Sequence, residues 1–287
     1  MNNQNLKAFI TVAECNSFSV AADRLYLTQS AISKRIAQLE QQIGKRLFDR
    51  IARQVSLTEA GAELLPRAQR ILTEYENALQ AINDLSGEAS GTLRLAISHH
   101  LGLHRLPTIL KQFALQFPNV TLDIEFTDSE KAYEQVLHGE TEVAVITLAL
   151  DSHHNINSKK IWRDPLQFVC ANDHPLAKLQ QPALEDLAKY PIILPGLNTY
   201  TGRIIQNLFH QQGIPLKSTM STNYLETIST MVEIGLGWSV LPETLVRDLY
   251  VMPFDQVTIA RELGYIHHTN RSLSNAAVEF LNLLSRA

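Results

Sequence analysis

Three apolar stripes with helical period fall within the first 39 residues, and the turns between them leave room for little but a small helical bundle. Leu6, Phe9, Ile10 and Ala13 fall at i, i+3, i+4 and i+7, the spacing of one face of a helix. Ser17 precedes a second run, Phe18 to Leu25, as its N-cap. Phe18, Ala22 and Leu25 form its inner face, and the small side chains of Ala21 and Ala22 permit close helix approach. Tyr26 and Leu27 make a short turn, Thr28 caps a third helix, and Ile32, Ile36 and Leu39 point inward from it. The opposite face carries Gln29, Ser30, Ser33 and Lys34. Glutamine pairs with adenine edges, serine bonds to bases or phosphates, and lysine reaches guanine or phosphate. Two helices joined by a short turn, the second with such a face, describe a helix-turn-helix on double-stranded DNA. A solvated face on a helical bundle has the same pattern.

Charge separates along the chain. Residues 1–58 carry a net +4, residues 59–90 a net −4 and the remainder −4, so a basic head precedes an acidic body, as expected where the head meets phosphates. After Leu47 and Phe48, the segment RIARQVSLT reads as a two-stranded ribbon with Arg50 and Arg53 near its tip. Such a wing lies beside a duplex, with arginines near phosphates or the minor groove.

The stretch from Leu6 to Gly61, with FITVAECNSFSVAADRLYLTQSAISKRIAQLEQQIGKRLFDR and SLTEAG at matching offsets, resembles the DNA-binding domain of LysR-type transcriptional regulators. It departs from the family pattern at Ser30, where proline is common, and at Lys34, where arginine is common. A lysine there lacks the bidentate fork of arginine and reads guanine more softly.

Thr58 and Glu59 can open a helix in which Leu64, Ala68, Ile71, Tyr75, Ala78, Ile82 and Leu85 alternate in steps of four and three. That heptad seam must be buried, on the chain's own C-terminal domain or on a second subunit. Similar helices pair subunits in the resembling family, which implies a dimer and a tetramer of two dimers. Pro66 is expected to bend the helix near its start, and SGEASGT at 86–92 to end it as a hinge.

From residue 91 the period changes. TLRLAIS, VTLDIEF and EVAVIT, then QFVCA, PIIL and GWSVLP, alternate with helical runs such as LPTILKQFALQF, which argues an α/β domain with largely parallel sheets. ETEVAVIT, FVCANDHPLA and MVEIGLGWSVLPETLV resemble the effector-binding domain of the same regulators, related in fold to type 2 periplasmic binding proteins. The whole then reads as an all-α winged helix-turn-helix with a linker helix, followed by an α/β two-lobed effector-binding domain. The boundaries are 1–58, 59–90 and 91–287, with a first lobe at 91–161 and 268–287 and a second at 162–267.

No GxGxxG, P-loop, HExxH or GxSxG occurs, so no enzyme constellation is read and no cofactor is called for. A solute-binding component would share the body's fold but not the basic head. His100 and His104 stand at i, i+4, which suits two metal ligands, but no Cys or carboxylate neighbours them in sequence to complete a set; no metal site is assigned. Cys170 reads as a buried small hydrophobe and residues 195–215 hold no cysteine, which argues against disulfide sensing. With no signal-like N-terminus and no apolar run of roughly 20 residues, a cytoplasmic protein without membrane contact is expected.

Ligands of such sheets sit beyond the carboxyl ends of strands, against helix N-termini. In the resembling family the loops at strand ends of both lobes line the effector cleft. Here these are Ser98, His99 and His100, then Thr127 and Ser129, then Thr147, and from the second lobe Asn198, Thr199, Tyr200, Thr201 and Arg203. Read as a set without an acidic member, they describe a site for a small carboxylate or an oxyanion, with histidines that tighten binding on protonation below about 6.5. The same hydroxyls can serve only as N-caps. The implied partners are operator DNA, a small effector, further copies of the chain and, as a candidate, RNA polymerase.

Overall fold

Helical periodicity up to residue 85 and strand-rich segments from residue 91 become two separately packed units, Met1–Asn83 and Asp84–Ala287. The computed structural model describes residues 2–51, 54–151, 153–216, 218–254 and 258–286.

The first unit holds α1 (Asn3–Cys15), α2 (Phe18–Arg24), α3 (Gln29–Ile43), β1 (Phe48–Ile51), β2 (Gln54–Leu57) and α4 (Glu59–Asn83). The expected caps form: Ser17 Oγ accepts from the N–H of Val20, Thr28 Oγ1 from Ala31 and Thr58 Oγ1 from Gly61. Each satisfies an orphan donor of a first turn. The inward residues of all three stripes meet in one core with Leu47 and Phe48, and the Phe48 ring packs on Phe9 and Phe18. The strands β1 and β2 pair antiparallel, Phe48 opposite Leu57 and Ile51 opposite Gln54, giving the ribbon read from RIARQVSLT. Gly61 is needed where α4 meets it, because a Cβ there would stand 2.2 Å from the Leu47 carbonyl oxygen.

Helix α4 runs on through Pro66. Its seam divides: Ala68 is buried and Leu64 partly buried on the helix-turn-helix core. Ile71 is 39% exposed and Ile82 64%, and Tyr75, Leu79 and Leu85 are also exposed.

The second unit holds two lobes. The first contains β3 (Gly91–Ser98), α5 (His99–His104), α6 (Pro107–Gln116), β4 (Val120–Thr127), α7 (Ser129–Leu137) and β5 (Val143–Thr147). A long strand β6 (Ile156–Cys170) crosses to the second lobe. There follow α8 (Leu184–Leu187), β7 (Ile192–Leu194), α9 (Tyr200–Gln211), β8 (Ser218–Ser221), α10 (Leu225–Glu233), β9 (Ser239–Pro242) and β10 (Tyr250–Val251). The strand β11 (Ile259–His268) returns the chain to the first lobe, which α11 (Asn275–Leu284) completes.

One sheet runs β10-β6-β11-β5-β3-β4, with β9 also on β6, and a separate pair is β7-β8. Among the described strands, the parallel pairs are β3 with β4, β3 with β5, and β7 with β8. The expectation of largely parallel sheets is thus corrected: β6 and β11 cross between the lobes in opposite directions and pair antiparallel with each other and with β5, β9 or β10. The return crossing also falls earlier than the 267/268 division. Ile259 packs in a second-lobe core, whereas Leu263 and Ile266 already lie in first-lobe cores, because β11 is one continuous strand that joins β5 from Leu263 onward. Its register on β6 shifts between Leu263 and Gly264. A Cβ at Gly264 would come 2.0 Å from the Lys159 carbonyl oxygen, so the bulge at the crossing requires glycine.

Candidate functional site

In the first unit the outer face of α3 is as its sequence suggests. Gln29, Ser30 and Lys34 are exposed and Ser33 is half-buried, while Ile32, Ile36 and Leu39 are buried beneath them. Ser30 Oγ lies 3.0 Å from Thr28 Oγ1, so the helix start presents paired hydroxyls. Arg50 is a residue of β1, and Arg53 lies outside the described residues. Two exposed residues escaped the sequence reading, and a third was read only as part of a turn. Tyr26, in the turn between α2 and α3, is 96% exposed with φ 54°, a left-handed conformation unusual for a bulky residue. Lys45 and Arg46 stand exposed just before the ribbon, and only their charge could have marked them.

In the second unit, strand ends and helix starts from both lobes converge on a cavity of about 50 Å³. Ser98, His99, His100, Thr127, Ser129, Thr147, Thr199 and Thr201 line it. Thr199 caps α9, accepting from Gly202 N–H at 3.0 Å and donating to the Gly196 carbonyl at 2.7 Å, and Ser129 Oγ accepts from Thr147 N–H. Ser98 precedes α5 without a capping bond. Asn198, Tyr200 and Arg203 are not among the lining residues. Asn198 and Arg203 are exposed, and the Arg203 guanidinium lies 4.9 Å over the Tyr200 ring, whose other neighbour is Tyr133.

The cavity's arginine is instead Arg261, on β11 where it crosses between lobes. It is 4% exposed, its Nε donates to Asp164 Oδ2 at 2.7 Å, and Asp164 is 2% exposed. The two stand opposite each other in the β6–β11 register. Arg105, at the end of α5, reaches Asp164 Oδ1 at 3.4 Å. Arg261 Nη1 lies 3.4 Å from Thr201 Oγ1, whereas buried Nη2 has no hydrogen-bond partner.

The reading of a site without acidic members is corrected: Asp128 and Glu130 also line the cavity. Each spans the lobes. Asp128 Oδ2 accepts from Asn223 Nδ2 at 2.8 Å, and Glu130 accepts from the N–H of Tyr200, the first residue of α9. Burial raises the Glu130 carboxyl above its ordinary value, against the Tyr200 bond that lowers it. Burial also lowers His100 below its ordinary value, so its protonation, expected below about 6.5, begins at lower pH.

The sequence view that no carboxylate neighbours His100 and His104 is corrected as well. Glu226, in the first turn of α10, places Oε1 3.0 Å from His104 Nε2 and 3.6 Å from His100 Nδ1. The imidazoles hold its carboxyl far below the usual range, at about 2, His100 contributing most. Cys170 is buried in a second-lobe core, and burial pushes its thiol up to about 11, as befits a packing residue. No helix among the described residues is long and apolar enough to cross a membrane.

Comparison with known proteins places these units. Residues 3–62 match the family described as bacterial regulatory helix-turn-helix protein, lysR family, and residues 86–287 match the LysR substrate binding domain. The chain is 62% identical over 107 residues to an uncharacterized HTH-type transcriptional regulator of Azotobacter vinelandii, covering 37% of this chain and 74% of that one. It is 30% identical to the uncharacterized HTH-type transcriptional regulator YbhD of Escherichia coli (strain K12), covering 98% and 90%. In fold it is similar to full-length CbnR solved in complex with target DNA, with a TM-score of 0.74, 21% identity and coverage of 100% and 99%. A helix-turn-helix unit with a wing, a long linker helix and a two-lobed domain with a cleft thus coincide with both family matches, and the chain belongs to the LysR family of DNA-binding transcriptional regulators, not to a family of enzymes.

Proposed function

We propose that this regulator's grip on its operator is set by a small anion bound between the lobes of the second unit. The observation that carries the reading is Arg261: a cavity-lining residue at the lobe crossing whose buried guanidinium is held by Asp164 while its Nη2 has no hydrogen-bond partner. A buried donor without a partner is costly, and a carboxylate or oxyanion supplies one in charge-assisted form. The hydroxyls of Ser98 and Thr201 and the N-terminus of α9 add donors on both sides. Asp128 is engaged across the lobes by Asn223, whereas Glu130 competes with the anion. Glu130 takes the α9 N–H that an effector anion would want, so an entering anion displaces it.

Calorimetry on the full chain, titrated with sulfate, phosphate and small mono- and dicarboxylates, tests this. Ser98→Ala and Thr201→Val are each expected to weaken the tightest anion about tenfold, near the ~1.4 kcal/mol of one good hydrogen bond. Unchanged affinity in both moves the site elsewhere. Glu130→Gln is expected to tighten the same anion about tenfold by removing a competing negative charge. Binding should also strengthen as pH falls through the raised Glu130 range, because proton uptake there removes that charge; Asp128, Arg203 and Tyr200 are the ionisable groups facing it. Weaker binding in either case contradicts the displacement.

For the DNA-binding unit we propose that Gln29, Ser30, Ser33 and Lys34 enter the major groove and that Arg50 and Arg53 contact the duplex from the wing. Exposure of the α3 face above Ile32, Ile36 and Leu39 supports this. In gel shifts with the chain's own upstream DNA, Ser33→Ala is expected to cost about 1–3 kcal/mol at one base position. Arg53→Ala should weaken all sequences alike and flatten the salt slope by about one unit. Wild-type binding by both Ser33→Ala and Lys34→Ala contradicts the groove assignment. The exposed seam of α4 is proposed as the surface on which a second copy pairs.

A further inference from the structure

Beside the anion contacts, two imidazoles and a carboxylate gather, one of them, His100, also lining the cavity. His100 and His104 stand one turn apart on α5, with ring centroids 4.7 Å apart, and Glu226 comes from α10 of the other lobe. Their nearest ligand atoms all lie within 4.8 Å of one another, and among the described residues no other group of three or more His, Cys, Asp or Glu side chains meets that spacing. A tetrahedral ion with bonds of roughly 2.0–2.2 Å sets its donors about 3.3 Å apart, close to the 3.0 and 3.6 Å already separating Glu226 Oε1 from the two rings. His100 is buried, yet neither of its ring nitrogens has a hydrogen-bond partner.

We infer that His100, His104 and Glu226 form a site for a divalent transition-metal ion that clasps the two lobes together. Two nitrogens and one oxygen suit Zn²⁺, Ni²⁺ or Cu²⁺. Ca²⁺ and Mg²⁺ need several oxygens, and a single carboxylate in the trio offers them too little. Because the ligands belong to both lobes, the bound ion favours the lobe arrangement in which they meet, and that preference is coupled by linkage to whatever else binds between the lobes. The ion needs no effector, so its binding stands or falls apart from the anion reading.

The test is a titration of the chelator-treated full chain with Zn²⁺ by calorimetry and with Co²⁺ by visible absorption. We expect one tight ion per chain and the d–d bands of four- or five-coordinate cobalt. Zn²⁺ is expected to slow hydrogen exchange at α5 and α10. His104→Ala should weaken the ion more than the about 10–100-fold typical of losing an outer partner of a ligand. Glu226→Gln, which keeps the shape, should weaken it clearly and remove the exchange protection. Absence of a tight ion overturns the site, as does affinity equal to wild type in both variants, which would assign the ion to other histidines.

Discussion

Arg261→Leu is expected to lower the stability of the effector domain by about 3–5 kcal/mol and to abolish its response to anions. Removing one partner of a buried ion pair leaves the other charge desolvated without compensation. Asp164, 2% exposed, would retain only Arg105 at 3.4 Å. For a domain of this size about 2–4 °C of melting temperature accompanies each kcal/mol, so a drop on the order of 10 °C is expected in a thermal melt. The double variant Arg261→Leu/Asp164→Leu separates structure from function. An apolar pair of similar volume often replaces a buried ion pair at little cost, so much of the melting temperature should return while anion binding does not. Recovery of anion binding together with stability would show that Arg261 only holds the strands.

The second large effect is expected at the linker helix. Ile71→Asp/Ile82→Asp should leave the first unit folded, because both side chains are exposed in the single chain, while setting carboxylates into the proposed seam. Analytical ultracentrifugation is expected to show monomers where wild type shows an assembly. Two half-sites joined in one dimer gain about 10²–10⁴ in affinity over a single contact, and operator binding should fall by that order with the melting curve unchanged. An unchanged sedimentation coefficient would exclude the seam as the pairing surface.

Legibility in the sequence followed locality. Helices of the head could be read because period, caps and turns lie within a few residues: Ser17, Thr28 and Thr58 all cap as read. Strands rich in apolar residues, VAVIT of β5 above all and LRLAI within β3, were equally plain. Of the long β6 only the end, QFVC, was, since INSKKIWRDPLQFVC is polar for half its length and carries Pro165, a residue that argues against a strand. Its partner β11 hides Arg261 among ordinary strand residues, 97 positions from Asp164. Nothing local marks that pair, nor the meeting of Glu226 with histidines 122 and 126 residues earlier. Arg203 misled for the opposite reason: it sits in the first turn of α9, but its side chain turns back over Tyr200. Eight of the loop residues nonetheless line the cavity, because strand-to-helix turns in an α/β lobe open on the same side.

We propose that the cleft recognises a small anion through Arg261 and the start of α9. A thermal-shift screen of the full chain against matched sets of small anionic, neutral and cationic metabolites tests it most directly. At a hundredfold excess over Kd a bound effector stabilises by about 2.7 kcal/mol, a shift of roughly 5–10 °C. The compounds giving such shifts are expected to be anions, and Thr201→Val is expected to shrink the shift. A cationic effector, or an anion whose shift is the same in Thr201→Val and Ser98→Ala as in wild type, would contradict it.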